Sequence, residues 1–124
     1  MKAGITKSVM IVEEDPSYRA LLRKILRSLN CNVVGEASGG DEAISLYERK
    51  KPNVVLLDIL LPQKYGLEVL KKIRQQAPYQ VVIMLTAESD QETVQSCIAA
   101  GATGYILKTD SANEIRDRIR KFLI

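Results

Sequence analysis

The sequence predicts a single α/β domain, residues 1–124, in which five strands of a parallel sheet alternate with five helices. Short apolar runs recur along the chain, and each is followed by a segment with apolar residues at the spacing of a helix face. The clearest run is VVLLDILLP over residues 54–62, where seven of the nine residues are large and apolar. A continuous run of this kind is typical of a strand covered on both faces. The length and the hydrophobic content of 46% are sufficient for one core.

The first half of the chain predicts two strand–helix units. A strand over residues 8–12 precedes a helix with Pro16 in its first turn and Asp15 as its N-cap. The apolar face of that helix consists of Leu21, Leu22, Ile25, Leu26 and Leu29. A shorter strand is predicted over residues 31–37 and a turn over 38–41. The second helix has an apolar face of Ala43, Ile44 and Tyr47, and it ends in the basic residues 49–51, which suit a helix C-terminus.

The second half predicts three more units. The strand that carries Asp58 is stopped by Pro62, and Gly66 interrupts the loop before a third helix that ends at Pro78. The apolar face of this helix is Leu67, Leu70 and Ile73. A fourth strand over residues 80–85 finishes at Thr86 and Ala87. The S-x-x-E spacing of Ser89 and Glu92 predicts the start of a fourth helix.

The fourth helix has a thinner apolar face than the others, formed by Val94, Cys97 and Ile98. Gly101 and Gly104 separate it from a last strand over residues 105–107, which ends at Lys108. A second S-x-x-E spacing, Ser111 to Glu114, predicts the start of the fifth helix. The apolar face of the fifth helix is Ile115, Ile119, Phe122 and Leu123.

For a doubly wound domain of this size, the flavodoxin-like strand order 2-1-3-4-5 is the expected topology. Ligands of such sheets bind beyond the carboxyl ends of the strands, near the point between strands 1 and 3. The residues predicted at these ends are Glu13, Glu14, Asp15, Asp58, Thr86 and Lys108. Acids, a hydroxyl and an amine are therefore expected to share one crevice.

The residue types in this crevice indicate phosphoryl chemistry. Clustered carboxylates favour a hard cation with oxygen ligands, above all Mg²⁺. A metal ion and an ammonium group stabilise charge on a transferring phosphoryl group, and a carboxylate can itself be the nucleophile. Neither of the glycine-rich motifs that bind nucleotides is present.

Composition excludes several other classes. The net charge of +3 is small, and the basic residues of the chain are dispersed along it. No nucleic-acid contact is therefore expected from this domain. No apolar run is long enough to span a membrane, and no signal-peptide core is present. Cys31 and Cys97 form no disulfide framework, which favours a cytoplasmic location. The chain has no histidine, so serine–histidine and cysteine–histidine nucleophile pairs are excluded.

Over essentially its whole length the sequence resembles a response-regulator receiver domain of the CheY-like superfamily. The resemblance is carried by the acidic pair Glu13–Glu14, the motif D-x-x-x-P-x-x-x-G from Asp58 to Gly66, Thr86 followed by Ala87, and Lys108 after Gly104–Tyr105. It implies that Asp58 accepts a phosphoryl group from a histidine kinase or phosphotransfer protein. It also implies that Lys108 and Thr86 contact the phosphoryl oxygens and that Tyr105 changes its packing when Thr86 moves.

By the same resemblance, Mg²⁺ is bound by Glu13, Glu14, Asp58 and the backbone carbonyl of Leu60. The surface that responds to phosphorylation is formed by helix four, strand five and helix five, and a homodimer of phosphorylated chains is an open possibility. Any enzymatic activity is limited to slow self-dephosphorylation.

The chain departs from the family at Glu14, where aspartate is usual, and at Thr109, where proline is common. A trans peptide is expected before Thr109, and the G-Y-x-L-K ending resembles NarL-type receivers.

Each site residue also has an ordinary structural explanation. Glu13 and Glu14 favour a helix N-terminus, Asp58 suits a strand-end turn, and Thr86, Tyr105 and Lys108 are common strand-end residues. Two other functions therefore stay open: a receiver-like module that binds proteins without being phosphorylated, and a phosphatase-like enzyme. The second is disfavoured because Leu60 stands where such an enzyme needs an acid. The cognate kinase and the output are not encoded in any motif.

Overall fold

The structure is a computed structural model that describes residues 6–62, 65–87 and 91–123. Its five parallel strands have the order β2-β1-β3-β4-β5, which confirms the predicted flavodoxin-like topology. The strands are β1 (Ser8–Val12), β2 (Asn32–Ala37), β3 (Val54–Asp58), β4 (Val81–Thr86) and β5 (Gly104–Leu107). The predicted strand at 31–37 begins one residue later, because Cys31 lies in the turn that links it to the preceding helix.

The helices cover both faces of the sheet. They are α1 (Pro16–Ser28), α2 (Gly40–Lys50), α3 (Gly66–Gln76), α4 (Gln91–Ala99) and α5 (Ala112–Lys121). Residues of α1 and α5 pack with Val9 and Ile11 on one face, whereas residues of α2, α3 and α4 pack with Met10 and Val12 on the other. The alternation along β1 follows from the two-residue period of a strand. In the described part of the chain, no helix is long and apolar enough to cross a membrane.

The capped starts predicted for α1 and α5 are confirmed. The Asp15 side chain accepts a hydrogen bond from the Ser17 backbone N–H, and Pro16 follows as the first residue of α1. At α5, Ser111 and Glu114 form a reciprocal capping box. The capping box predicted from Ser89 lies outside the described residues. Helix α2 begins at Gly40, inside the stretch predicted as a turn.

Two helix faces differ in detail from the prediction. In α3, Val69 is buried with Leu70 and Ile73, whereas Leu67 is only partly buried. In α4, Cys97 is the one fully buried residue of the helix, and Ile98 is 47% exposed. Helix α4 is therefore anchored by even fewer apolar side chains than its sequence predicts.

The C-terminal end of α4 is bound to α3 through Arg74. The Arg74 guanidinium donates from Nε and Nη2 to the Gly101 carbonyl oxygen, at 2.9 and 2.7 Å, and from Nη1 to the Ala77 carbonyl oxygen at 2.9 Å. Gly101 has φ of 100°, a conformation that L side chains rarely adopt, which explains the glycine here.

Candidate functional site

The strand register brings the predicted site residues to one edge of the sheet. Val12 lies opposite Leu57, Asp58 opposite Leu85, and Thr86 opposite Leu107. The residues at the carboxyl ends of β1, β3, β4 and β5 therefore lie side by side. Among the described residues, the fully buried polar side chains are Glu13, Asp58 and Thr86, with exposures of 1%, 4% and 6%. Burial of polar groups is costly unless they are paired, so their concentration at one edge marks a candidate functional site.

Lys108 joins two of these buried groups. Its Nζ atom lies 2.7 Å from Glu13 Oε1 and 2.8 Å from Asp58 Oδ2. The backbone contributes to its placement, because the Lys108 N–H donates to the Thr86 carbonyl oxygen at 2.7 Å. The ammonium group therefore bridges two carboxylates that would otherwise repel each other.

The remaining oxygens of both carboxylates are held by the backbone. Glu13 Oε2 accepts a hydrogen bond from the Asp15 N–H at 3.0 Å, and Asp58 Oδ1 accepts one from the Leu60 N–H at 3.1 Å. The loop that follows β1 is itself tied down, because Arg19 Nη1 donates to the Glu13 carbonyl oxygen at 2.8 Å. The carboxylates are thus held in position by groups of the protein itself.

The ionisation of the cluster follows from its burial and its charges. Burial, and to a smaller extent the charge of Asp58, raises the pKa of Glu13 above its ordinary value, against the lowering by the Lys108 ammonium and by the Asp15 N–H. Burial lowers the pKa of Lys108, but its hydrogen bonds to Asp58 and Glu13 together raise it above its ordinary value of 10.5.

The turn after Asp58 depends on Gly66. The Gly66 N–H donates to the Ile59 carbonyl oxygen at 2.7 Å, and a Cβ atom at Gly66 would overlap the Asp58 carbonyl oxygen. Glycine is therefore required for the close approach of the two backbones. Leu60 is 63% exposed beside the site and offers no polar side chain to the crevice.

The two adjacent glutamates have different environments. Glu13 is buried in the cluster, whereas the side chain of Glu14 is exposed. In residues 6–62, 65–87 and 91–123, no three carboxylate, thiol or imidazole side chains converge to hold a metal ion. The structure thus brings Glu13 and Asp58 together through Lys108 but does not bring Glu14 to them.

The residues nevertheless fit Mg²⁺. The Lys108 ammonium already occupies a position between an oxygen of Glu13 and one of Asp58, so the space between these carboxylates suits a cation. Proteins usually bind Mg²⁺ through one or two carboxylates together with water and phosphate oxygens. Glu13 and Asp58 meet this requirement without a third fixed acid.

Thr86 and Tyr105 lie on the adjacent strands β4 and β5. The Thr86 side chain is buried at the end of β4, and the Tyr105 ring is exposed on β5 with the Arg118 guanidinium 6.0 Å from its centre. A cavity of about 240 Å³ separates α4 from this part of β5 and is lined by Gln91, Val94, Gln95, Tyr105 and Leu107. The described backbone contains no cis peptide bond, so the predicted trans peptide between Lys108 and Thr109 is confirmed.

Sequence reasoning missed two residues that contact the cluster. The Tyr18 ring lies against Lys108, with 5.2 Å between its centre and Nζ, and Arg19 holds the Glu13 carbonyl. Both belong to the first turn of α1, which begins just beyond the acidic end of β1. A helix side chain points back towards the helix N-terminus. A position in the first turn after the acidic strand end is therefore the sequence signal for Tyr18 and Arg19.

Comparison with known proteins agrees with the geometry. The family model described as the response regulator receiver domain matches residues 9–120. The chemotaxis protein CheY of Listeria monocytogenes is 34% identical over 113 residues, which cover 91% of this chain and 95% of that protein. The response regulator protein VraR of Staphylococcus aureus is 34% identical over 118 residues, which cover 94% of this chain but 56% of VraR.

Solved structures give the same result. A CheX–CheY–BeF3–Mg²⁺ complex from Borrelia burgdorferi has a chain that matches with a TM-score of 0.92 at 27% identity, covering 98% of this chain and 92% of that one. The signal receiver domain of NarL from Mycobacterium tuberculosis matches with a TM-score of 0.86 at 28% identity, covering 95% and 96%. The fold, the match over residues 9–120 and relatives aligned over almost their whole length show that the chain belongs to the response regulator receiver domain family of two-component signalling.

Proposed function

We propose that residues 1–124 act as a single phosphoacceptor domain in which Asp58 takes a phosphoryl group from a histidine kinase or phosphotransfer protein. The observation that carries the proposal is the position of Asp58: a buried carboxylate at the end of β3, bonded to Lys108 through Oδ2 and to the Leu60 N–H through Oδ1. An ammonium group beside a fixed carboxylate is suited to neutralise charge on a transferring phosphoryl group.

In the proposed step, a carboxylate oxygen of Asp58 attacks the phosphorus of a phosphohistidine. A P–O bond forms as the P–N bond of the donor breaks, and the donor imidazole keeps the electron pair and takes up a proton. Lys108 is in reach of the oxygens that gain charge, and the Thr86 hydroxyl lies on the neighbouring strand end. Mg²⁺ would be held by Glu13, Glu14, Asp58 and the Leu60 carbonyl, and when bound it supplies further neutralisation of phosphoryl charge.

The site is suited to accepting a phosphoryl group and poorly suited to turning over external substrates. Hydrolysis of an aspartyl phosphate is faster when a polar side chain orients the attacking water, and Leu60, two residues after Asp58, has none. We therefore propose that dephosphorylation by the domain alone is slow. This distinguishes the proposal from the phosphatase-like alternative.

The proposed output is a change in the surface formed by α4, β5 and α5. Movement of Thr86 towards a phosphoryl group would affect Tyr105, which lies beside the cavity between α4 and β5. The weak anchoring of α4 makes this surface the part of the fold that shifts most easily. A target protein or a second phosphorylated copy of the chain would bind there, in the cytoplasm, where histidine kinases phosphorylate their receivers.

Mass spectrometry after treatment with acetyl phosphate and Mg²⁺ tests the assignment. The parent chain should gain one phosphoryl group, on the peptide that contains Asp58, and Asp58→Asn should gain none. Asp117→Asn is the matched control, because Asp117 is an exposed aspartate on α5 and its loss should leave the adduct intact. An adduct that persists in Asp58→Asn would refute the proposal.

The same incubation separates the alternatives. A stable adduct supports the phosphoacceptor, no adduct supports the module that binds proteins without phosphorylation, and continuous release of phosphate supports the enzyme.

A further inference from the structure

Tyr18 is placed against the site, and within the described part of the chain its hydroxyl makes no hydrogen bond. Its hydroxyl oxygen is buried, and among the described residues it has no hydrogen-bond partner. Buried tyrosine hydroxyls usually find a partner. The contact that its position does provide is between the face of the ring and the Lys108 ammonium, 5.2 Å from the ring centre.

The ring completes the surroundings of the lysine. The ammonium contacts Glu13 Oε1 and Asp58 Oδ2, at 2.7 and 2.8 Å, and the aromatic face lies against it as a third neighbour. The face of an aromatic ring carries negative charge, and its attraction for a cation increases as water is excluded. Lys108 is largely buried, with 20% of its side chain exposed, so the attraction operates where it is strong.

The charges around Tyr18 keep the ring neutral. Burial raises the pKa of Tyr18 above its ordinary value, and the nearby carboxylates Glu13, Asp110 and Asp58 raise it further. The ring therefore acts through its face and not as a phenolate.

We propose that Tyr18 is a positioning residue that holds Lys108 in the bridge between Glu13 and Asp58, so that the ammonium competes with a divalent cation for these two carboxylates. The inference rests on the proposed function, because it concerns the same site and the same cation. A cation that binds Glu13 and Asp58 must displace the ammonium from the bridge. The ammonium then also loses its contact with the face of the Tyr18 ring. A residue that stabilises the bridge therefore weakens Mg²⁺ binding.

Titration of Mg²⁺ into the whole chain without phosphodonor, followed by NMR or calorimetry, tests the competition. Tyr18→Leu keeps an apolar side chain but removes the aromatic face, and we expect Mg²⁺ to bind several-fold and up to about thirtyfold more tightly. Tyr18→Phe is the control: it keeps the aromatic face and removes only the hydroxyl, so it should bind Mg²⁺ with the same affinity as the parent. Equal affinities for Tyr18→Leu and the parent would overturn the proposal.

A double-mutant cycle tests whether Tyr18 acts through Lys108. In a Lys108→Met background no ammonium competes, so Tyr18→Leu should no longer change the Mg²⁺ affinity. An undiminished effect of Tyr18→Leu in that background would show that the ring acts by another route. A parent chain without saturable Mg²⁺ binding would also overturn the competition.

The contact itself can be observed in the parent chain, whether or not the variants fold. The side-chain methylene protons of Lys108 next to the ring face should show upfield ring-current shifts that move back on addition of Mg²⁺. Unshifted protons would overturn the inference. None of these readouts involves phosphorylation, so a parent that is never phosphorylated refutes the proposed function while the competition is judged separately.

Discussion

At the scale of single residues, the adjacent glutamates at the end of β1 differ in environment, although the sequence predicts Mg²⁺ binding for both. Glu13 is fixed by the Lys108 ammonium and the Asp15 N–H, whereas Glu14 is exposed. To reach a metal ion, Glu14 must give up the side-chain freedom that exposure allows. Glu14, which departs from the family pattern, is thus also the predicted Mg²⁺ ligand that the structure does not hold beside Asp58.

Glu14→Asp should tighten Mg²⁺ binding and speed phosphorylation of Asp58. Aspartate is one methylene shorter, loses less conformational freedom, and Mg²⁺ demands near-ideal octahedral geometry. Mg²⁺ titration and the rate of adduct formation measure the two effects. Asp15→Ala is the control: it removes the N-cap of α1 and should cost about 0.5–2 kcal/mol of stability while changing metal affinity less. Unchanged or weaker Mg²⁺ binding in Glu14→Asp would show that the longer side chain is accommodated.

The stabilisation that Lys108 provides should depend on pH. Its pKa in the folded chain is raised above the ordinary 10.5 by Asp58 and Glu13, against the lowering by burial. The charged lysine therefore stabilises the fold fully below about pH 10.5, and this contribution is lost as the pH rises through the folded-state pKa. Urea unfolding of the parent and of Lys108→Met between pH 8 and 11 should show their difference in unfolding free energy shrinking towards the alkaline end. A constant difference across this range would contradict the assigned ion pairs.

How far the site was predictable differs between its residues. Asp58 and Thr86 are the last residues of their strands, and Glu13 and Lys108 directly follow theirs. The parallel register of the sheet brings these positions close together. The contrast between Glu13 and Glu14 was not predictable, because which of two adjacent acids turns inward depends on the path of the loop. The contact of Tyr18 with Lys108 joins residues far apart in sequence, and no periodic pattern encodes it.

At the scale of the elements, the loop between β3 and α3 depends on the close approach of the Gly66 backbone to Asp58. Gly66→Ala should destabilise the fold by roughly 1–3 kcal/mol or more, because the new methyl group overlaps backbone and must displace the Asp58 carbonyl. We also expect slower phosphorylation of Asp58, measured as the rate of adduct formation beside chemical denaturation. Gly35→Ala is the matched control: its new methyl group meets the flexible end of Leu46, which can shift. Equal losses of stability in both variants would show that the close approach at Gly66 is unimportant.

The buried faces of the helices were predictable where the apolar spacing is strong, and the buried face of α4 was the least predictable. Helices α1 and α5 bury the residues their spacing predicts, among them Leu22, Ile25, Ile115 and Ile119. In α4, Ile98 continues the apolar spacing, yet it is exposed because the short helix meets the core chiefly through Cys97. Spacing identifies a helix but does not fix how closely it packs on the sheet.

At the scale of the whole molecule, phosphorylation at one edge of the sheet should be detected on the surface of α4, β5 and α5. We expect backbone amide shifts of the parent chain, on addition of phosphodonor, to concentrate in these three elements, with Asp58→Asn unchanged. Light scattering on the same samples reports whether phosphorylated chains associate. Shifts confined to α1 and α2 would refute the proposed route of the signal.

The hydrogen bonds between Arg74 and Gly101 tie the chain just after α4 to α3, so the movement proposed for α4 should pivot there. A helix held just beyond its C-terminal residue and packed on the core through few side chains should tilt about the held end and not slide as a body. At about 1.5 Å rise per residue, Gln91 lies roughly 15 Å from Gly101, so a tilt of about 10° displaces it by roughly 2–3 Å. The displacement expected from the proposed switch is therefore smallest beside α3 and largest at Gln91, which lines the cavity next to Tyr105.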